Sequence, residues 1–149
     1  MEELTTKNYE TSQYIVIKLG VEQYGIDIQY VDNIVRMQNI TRVPKVAKYV
    51  NGVINLRGEV IPVMSIRLKM GFDVDEFTKN TRIIILKLEQ HGTIGIIVDE
   101  VKEVVTLSND EIEKFAYDNK DEKNVWLSGI GKFNDQLISL LDLNAVIAE

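Results

Sequence analysis

Apolar and polar positions follow one another in short blocks along the chain, separated by glycine, asparagine and proline, which is the pattern of strands and turns rather than of long helices. Residues 14–19 (YIVIKL) read as a first strand, and residues 22–28, beyond the break at Gly20, as its hairpin partner. Residues 31–35 (VDNIV) are either one helical turn or the start of a third strand, since the period alone fits both. Pro44 restricts the residue before it and marks a break. Residues 53–56 and 59–63 flank Arg57-Gly58, where glycine's tolerance of positive φ suits a tight hairpin turn. Pro62 has no N–H to give a ladder, so its strand lies at an edge or carries a bulge. Residues 65–70 form a short helix with Gly71 placed to end it, and residues 72–80 are a polar, acidic linker.

The second half continues in the same way. Residues 81–88, 92–98 and 101–107 read as strands, with a turn at Gln90-His91-Gly92. Ser108 followed by Glu111 is a capping-box pattern. Residues 114–123 are a charged loop, residues 126–133 and 136–140 a last hairpin around Asn134-Asp135, and residues 142–148 a short closing helix. Residues 1–12 are polar and expected to be loose.

The halves resemble each other. Residues 21–36 align without gaps on 88–103, matching Glu22, Gln23, Gly25, Val31 and Asp32 to Glu89, Gln90, Gly92, Val98 and Asp99. Residues 52–68 align on 129–145, with apolar matches such as Val60/Leu137, Val63/Leu140 and Ile66/Leu143. A duplicated unit of about five short strands implies a mainly β fold made of two small barrels. The expected organisation is a single domain, 1–149, with subdomains at about 14–75 and 76–149 and the N-terminal strand open to sharing between them. Ile96-Ile97-Val98 is apolar at consecutive positions, so that strand is covered on both faces, by the other barrel or by a partner protein.

Composition narrows the function. A chain of 149 residues with 45% hydrophobic and 27% charged positions makes one ordinary domain or two very small ones sharing a core. The net charge of −6 argues against nucleic acid, and no run of Lys or Arg stands out against it. The absence of cysteine removes disulfides and thiolate chemistry, and fits a cytoplasmic setting. The N-terminal residues hold no apolar signal core, and runs such as 83–86 are far too short to span a bilayer, so direct membrane insertion is not expected.

Catalytic constellations are missing from the pattern. His91, the one histidine, falls in a turn with no nucleophile or orienting carboxylate nominated beside it. Asp110-Glu111-Glu113 and Asp118-Asp121-Glu122 lack the spacing and turn glycine of a calcium loop. There is no phosphate-binding glycine loop and no nucleophile elbow. The reading is a non-enzyme with no cofactor and no metal. Binding surfaces offer more. Arg57 at a hairpin tip is either an ordinary turn arginine or a planar fork held out for a partner. Gly52 is either a turn glycine or a point where another backbone approaches. Val31 is either core or contact.

The stretch from Gly52 to Leu68, GVINLRGEVIPVMSIRL, resembles the signature hairpin of the CheW family of chemotaxis coupling proteins. Tyr24-Gly25-Ile26-Asp27-Ile28, Gly95-Ile96-Ile97-Val98-Asp99, Gly129-Ile130-Gly131 and ISLLDL at 138–143 support it in the same order. The resemblance implies two pseudo-symmetric SH3-like five-stranded β-barrels with short helices, packed on each other with a hydrophobic groove between them. It implies an adaptor that binds methyl-accepting chemotaxis receptors and the regulatory domain of the histidine kinase CheA, or serves another receptor–kinase system, recruited from the cytoplasm to receptor arrays. Its receptor-facing positions carry over to Val31, Asn33, Gly52 and Arg57; the kinase-facing residues do not carry over. Two positions depart from the family. Asn33 stands where an acid usually pairs with the hairpin arginine, which leaves Arg57 freer, hydrogen-bonded to Asn33, or held by Asp32. Ser65 stands where an acid is favoured, and serine can cap the following helix as aspartate does.

Overall fold

The computed structural model describes residues 10–115 and 125–148. The strands in chain order are β1 (Thr11–Leu19), β2 (Glu22–Asp27), β3 (Val31–Arg36), β4 (Val50–Leu56), β5 (Glu59–Ser65), β6 (Arg82–Leu88), β7 (Gly92–Val98), β8 (Glu100–Ser108), β9 (Ile112–Lys114), β10 (Leu127–Phe133) and β11 (Gln136–Leu141). The helices are α1 (Ile66–Lys69) after β5 and α2 (Leu143–Ile147) after β11. Residues 31–35 are therefore strand and not helix. Most of the charged loop, with the acidic cluster Asp118-Asp121-Glu122, lies outside the described residues, as do residues 1–9.

Two curled sheets result, in the orders β9-β10-β11-β2-β1-β8 and β3-β6-β7-β5-β4. Each closes by the same device. The chain leaving β3 crosses to the far edge, where Thr41 exchanges backbone hydrogen bonds of 2.8 and 2.9 Å with Val53 of β4. The chain leaving β8 crosses through the 3-10 turn Asn109–Glu111 to β9, which pairs with β10. The mainly β, double-barrel expectation stands, with five long strands per barrel and the short β9 as a sixth in one of them.

Sheet membership corrects the cut near residue 75. Hairpin β1–β2 belongs with β8–β11, and hairpin β6–β7 belongs with β3–β5. The repeated units thus exchange their first hairpins: one barrel is the contiguous stretch from β3 to β7, and the other joins the N-terminal hairpin to the C-terminal strands. The register also revises the repeat. Gly25 faces Leu140 across the parallel β2–β11 pair, and Gly95 faces Val63 across the parallel β7–β5 pair, so Gly25 corresponds to Gly95 and not to Gly92. The gapless alignment is thus three residues out of register; the turns, two residues after β1 and three after β6, differ by only one of these.

Three apolar clusters explain the burial. Ile54, Ile61, Val63, Ile83, Ile85 and Ile97 fill one barrel. Val16, Val105, Leu107, Ile138 and Leu140 fill the other. The largest cluster lies between the sheets and draws Ile15, Ile17 and Ile26 from one, Ile84, Leu86, Ile96 and Val98 from the other, and Leu143, Val146 and Ile147 from α2. Strands β6 and β7 therefore feed a barrel interior with one face and the inter-barrel core with the other, and the cover over Ile96-Ile97-Val98 comes from within the chain. Each fully buried side chain of this size contributes about 1.5–3 kcal/mol of transfer free energy.

Local chemistry sets the ends of the elements. Ser65 Oγ accepts from the Leu68 N–H at 3.1 Å and caps α1. Gly71, at φ +84, ends α1 in a Schellman arrangement in which Phe72 N–H donates to Arg67 and Gly71 N–H to Leu68. Asp142 caps α2 through the Ala145 N–H in the equivalent place. Glu111 accepts from the Ser108 N–H at 2.8 Å, as its spacing predicts. Pro62 falls in the first half of β5, where β4 is the only ladder partner, so its missing N–H breaks no ladder.

Candidate functional site

The strand register aligns the sequence-predicted site residues. Asn33 pairs with Ile85, Ile85 with Gly95, Gly95 with Val63, and Val63 with Gly52. Asn33 and Gly52 thus end one row that crosses the sheet from edge strand to edge strand. Val31 pairs with Leu86, and Leu86 with Ile94, in the adjacent row. Both edge strands carry a bulge here, at Val31/Asn33 and at Val50/Gly52, which turns the local side chains relative to the ladder.

Each residue has a distinct environment. Val31 is half-buried and packs on the inter-barrel core. Asn33 turns its Oδ1 onto the Ile34 N–H at 2.8 Å. Gly52 is buried at φ +146, and an added Cβ would lie 2.1 Å from the carbonyl oxygen of Thr41. The backbone that approaches Gly52 is therefore the chain's own, at the closure of the barrel. Arg57 occupies the tip of the β4–β5 hairpin, exposed, at φ +55, followed by Gly58 at φ +83. Asn55 Oδ1 accepts from the Gly58 N–H at 3.1 Å and stiffens the turn. Arg57 makes no hydrogen bond or ion pair among the described residues. Asp32 lies 3.5 Å from Lys87 Nζ in an exposed pair, so of the three arrangements left open for Arg57 the free one is found.

Beside these rows lies an apolar groove of about 200 Å³. Pro62, Met64 and Ile94 line it from the barrel, and Ile147 of α2 lines it from the other side. Lys69 bridges the same junction. Its ammonium donates to the Ala148 carbonyl and sits 4.2 Å from the Tyr49 ring centroid and 5.7 Å from that of Trp126. Sequence reasoning missed this clamp, because its three side chains come from α1, the approach to β4 and the turn before β10, and no spacing links them.

A second polar feature ties α1 to the turn between β7 and β8. Asp99 accepts from Arg67 Nε at 2.9 Å, from Arg67 Nη2 at 2.7 Å and from the Gly20 N–H at 2.7 Å. Arg67 and the Gly20 amide hold the Asp99 carboxyl below the usual carboxylate range, against the opposing effect of burial. Asp75, on the linker, accepts from Ser65 Oγ, and burial pushes its carboxyl up. Ser65 thus both caps α1 and holds a carboxylate from ten residues on. His91 lies at the turn before β7, and no group of three or more His, Cys, Asp or Glu side chains among the described residues is arranged to hold a metal ion. No helix among the described residues is long and apolar enough to cross a membrane.

Residues 13–149 match the model of the CheW-like domain. The chain is 37% identical over 133 residues to the chemotaxis protein CheW of Bacillus subtilis, covering 89% of this chain and 85% of that protein. It is 34% identical over 140 residues to the CheW of Helicobacter pylori, covering 94% and 84%. The crystal structure of the scaffolding protein TtCheW from Thermoanaerobacter tengcongensis superposes with a TM-score of 0.83 at 30% identity, covering 93% of each chain.

Proposed function

Because this chain belongs to the CheW family of chemotaxis scaffold proteins, we propose that it couples chemoreceptor cytoplasmic tips to the histidine kinase CheA and sets the kinase's autophosphorylation without catalysing a reaction itself. The observation that carries this reading is the cross-sheet row that ends at Asn33 and Gly52, beside a hairpin that holds an exposed Arg57, unpaired among the described residues. A hairpin with an exposed guanidinium at its tip and an apolar groove at its base suits recognition of a helical partner bearing acceptors and apolar anchors. The receptor contacts are Arg57, Asn33 and the rim around Val31, with Gly52 shaping the edge from beneath. The protein works in the cytoplasm, recruited to receptor arrays by these contacts.

The test is a reconstitution of receptor, CheA and this protein. Autophosphorylation is expected to rise strongly only with all three present, and attractant is expected to remove the rise. No effect with matched partners, and binding to neither of them, would overturn the coupling reading and point to a different receptor–kinase system.

A further inference from the structure

Two arginines face each other at a sheet edge where the fold does not require them. Arg36, the last residue of β3, is in register with Arg82, the first of β6. Like charges directly opposite on neighbouring strands disfavour the pairing. The equivalent pair in the other barrel is Gln13 opposite Thr106, both neutral, so the ladder closes without cations there. The repeat thus supplies an internal comparison: the ladder itself closes at this position without a pair of cations.

Arg36, Lys79 and Arg82 line one cleft of about 500 Å³, and no carboxylate among the described residues lines it with them. Arg82 Nη1 donates to the carbonyls of Lys79 and Thr81 at 2.9 Å each, which fixes the plane of the guanidinium. Its Nε and Nη2 carry no hydrogen bond among the described residues, and Arg36 has no ion pair among them. Thr81 is 2% exposed, and its Oγ1 accepts from the Thr78 N–H at 2.8 Å, folding the turn that presents Lys79. In a chain with a net charge of −6, three cations around one acid-free cleft form a site for an anion.

We propose that this cleft binds a phosphate-class oxyanion, gripped by the Arg36 and Arg82 forks with Lys79 closing over it. Two forks and an ammonium match the charge and oxygen count of a diphosphate better than those of a single carboxylate. The site lies apart from the receptor-facing row and does not depend on the coupling reading.

The experiment is an amide NMR titration of the full chain with inorganic pyrophosphate, then with ADP and with a glutamate-rich peptide, at low salt. Saturable shifts are expected at Arg36 and at residues 78–82, weakening as salt is raised. R36Q/R82Q is expected to bind at least about tenfold more weakly, as loss of charged hydrogen bonds implies. Equal response to ADP and pyrophosphate identifies the phosphate groups as the ligand, and a stronger response to ADP points to a nucleotide. Without ligand, Arg36→Gln is expected to hold or raise the melting temperature, because a like-charge opposition is removed. No saturable shift, an undiminished response in R36Q/R82Q, a response to the peptide alone, or a melting temperature lowered by Arg36→Gln would each overturn the proposal.

Discussion

Arg57 stands in a backbone conformation that its own side chain disfavours. Arg57 and Gly58 have φ of +55 and +83, so both central residues of the two-residue turn are left-handed, the type I′ geometry that matches the twist of a hairpin. A residue with an ordinary side chain costs about 1 kcal/mol or more in that region. Asparagine tolerates it best, because its short amide bonds the local backbone. Arg57 is exposed and makes no hydrogen bond or ion pair among the described residues, so its removal forfeits no native contact. Arg57→Asn is therefore expected to stabilise the fold by about 0.5–1 kcal/mol, which is roughly 1–4 °C in melting temperature for a domain of this size. The same change is expected to weaken receptor capture, since the guanidinium fork is gone. The two readouts, a circular dichroism melt and a receptor pull-down, then move in opposite directions, which a purely structural residue cannot do. Arg57→Lys keeps the strain and the charge but loses the fork, and is expected to leave the melt unchanged while binding weakly. A lower melting temperature for Arg57→Asn would refute the strain argument, and undiminished capture would refute the binding role.

Four further outcomes follow from the packing. Gly52→Ala places a Cβ 2.1 Å from the Thr41 oxygen and is expected to cost roughly 3 kcal/mol or more, with hydrogen-exchange protection lost first at the Thr41 and Val53 amides. Val98→Asp buries an unpaired carboxylate in a fully covered strand and is expected to cost more than about 4 kcal/mol and yield unfolded protein; a soluble, cooperatively melting variant would contradict the burial. The Asp99 carboxyl is depressed in the folded state, so its contribution is full above the unfolded carboxylate value of about 3.9 and is lost as pH falls through the lower folded value. The stability gap between wild type and Asp99→Asn, roughly 1–2 kcal/mol for this partly exposed pair, is thus expected to be flat from pH 5 to 8 and to close in more acidic denaturant titrations. Fragments 1–75 and 76–149 each lack a hairpin that their barrel needs, so each alone is expected to melt without cooperativity while an equimolar mixture regains the β signal; a cooperative melt by either fragment alone would contradict the exchange.

Strands and caps were legible in the sequence because local rules govern them. The alternation around Arg57-Gly58, the Ser108–Glu111 spacing and the helix stop at Gly71 each state their structure within a few residues. Which strands pair was not legible. Alternation places Ile83 and Ile85 on one face and Ile84 and Leu86 on the other, but it carries no label for the sheet each face will meet. The hairpin exchange between repeats is such a non-local fact. For the candidate site, resemblance nominated Arg57 and Asn33, while the Lys69 clamp, the Arg67–Asp99 pair and the Arg36–Arg82 opposition exist only once the strands are in register.

The internal repeat separates what the fold demands from what a partner demands. Gly129, the counterpart of Gly52, likewise lies beneath a backbone carbonyl, where an added Cβ would come within 2.5 Å of the Glu113 oxygen, so the glycine belongs to barrel closure in both halves. Val101, the counterpart of Val31, packs on the same inter-barrel core, so an apolar residue there is also a fold requirement. Asn134, the counterpart of Arg57, sits at φ +50 with the side chain that this conformation prefers. Glu103, the counterpart of Asn33, is charged where Asn33 is neutral. Of the four positions proposed to face the receptor, two are therefore explained without a partner and two are not. The proposed binding role rests on Arg57 and Asn33. Loss of coupling on changing Gly52 or Val31 is then expected to track loss of barrel stability, whereas loss on changing Arg57 is not.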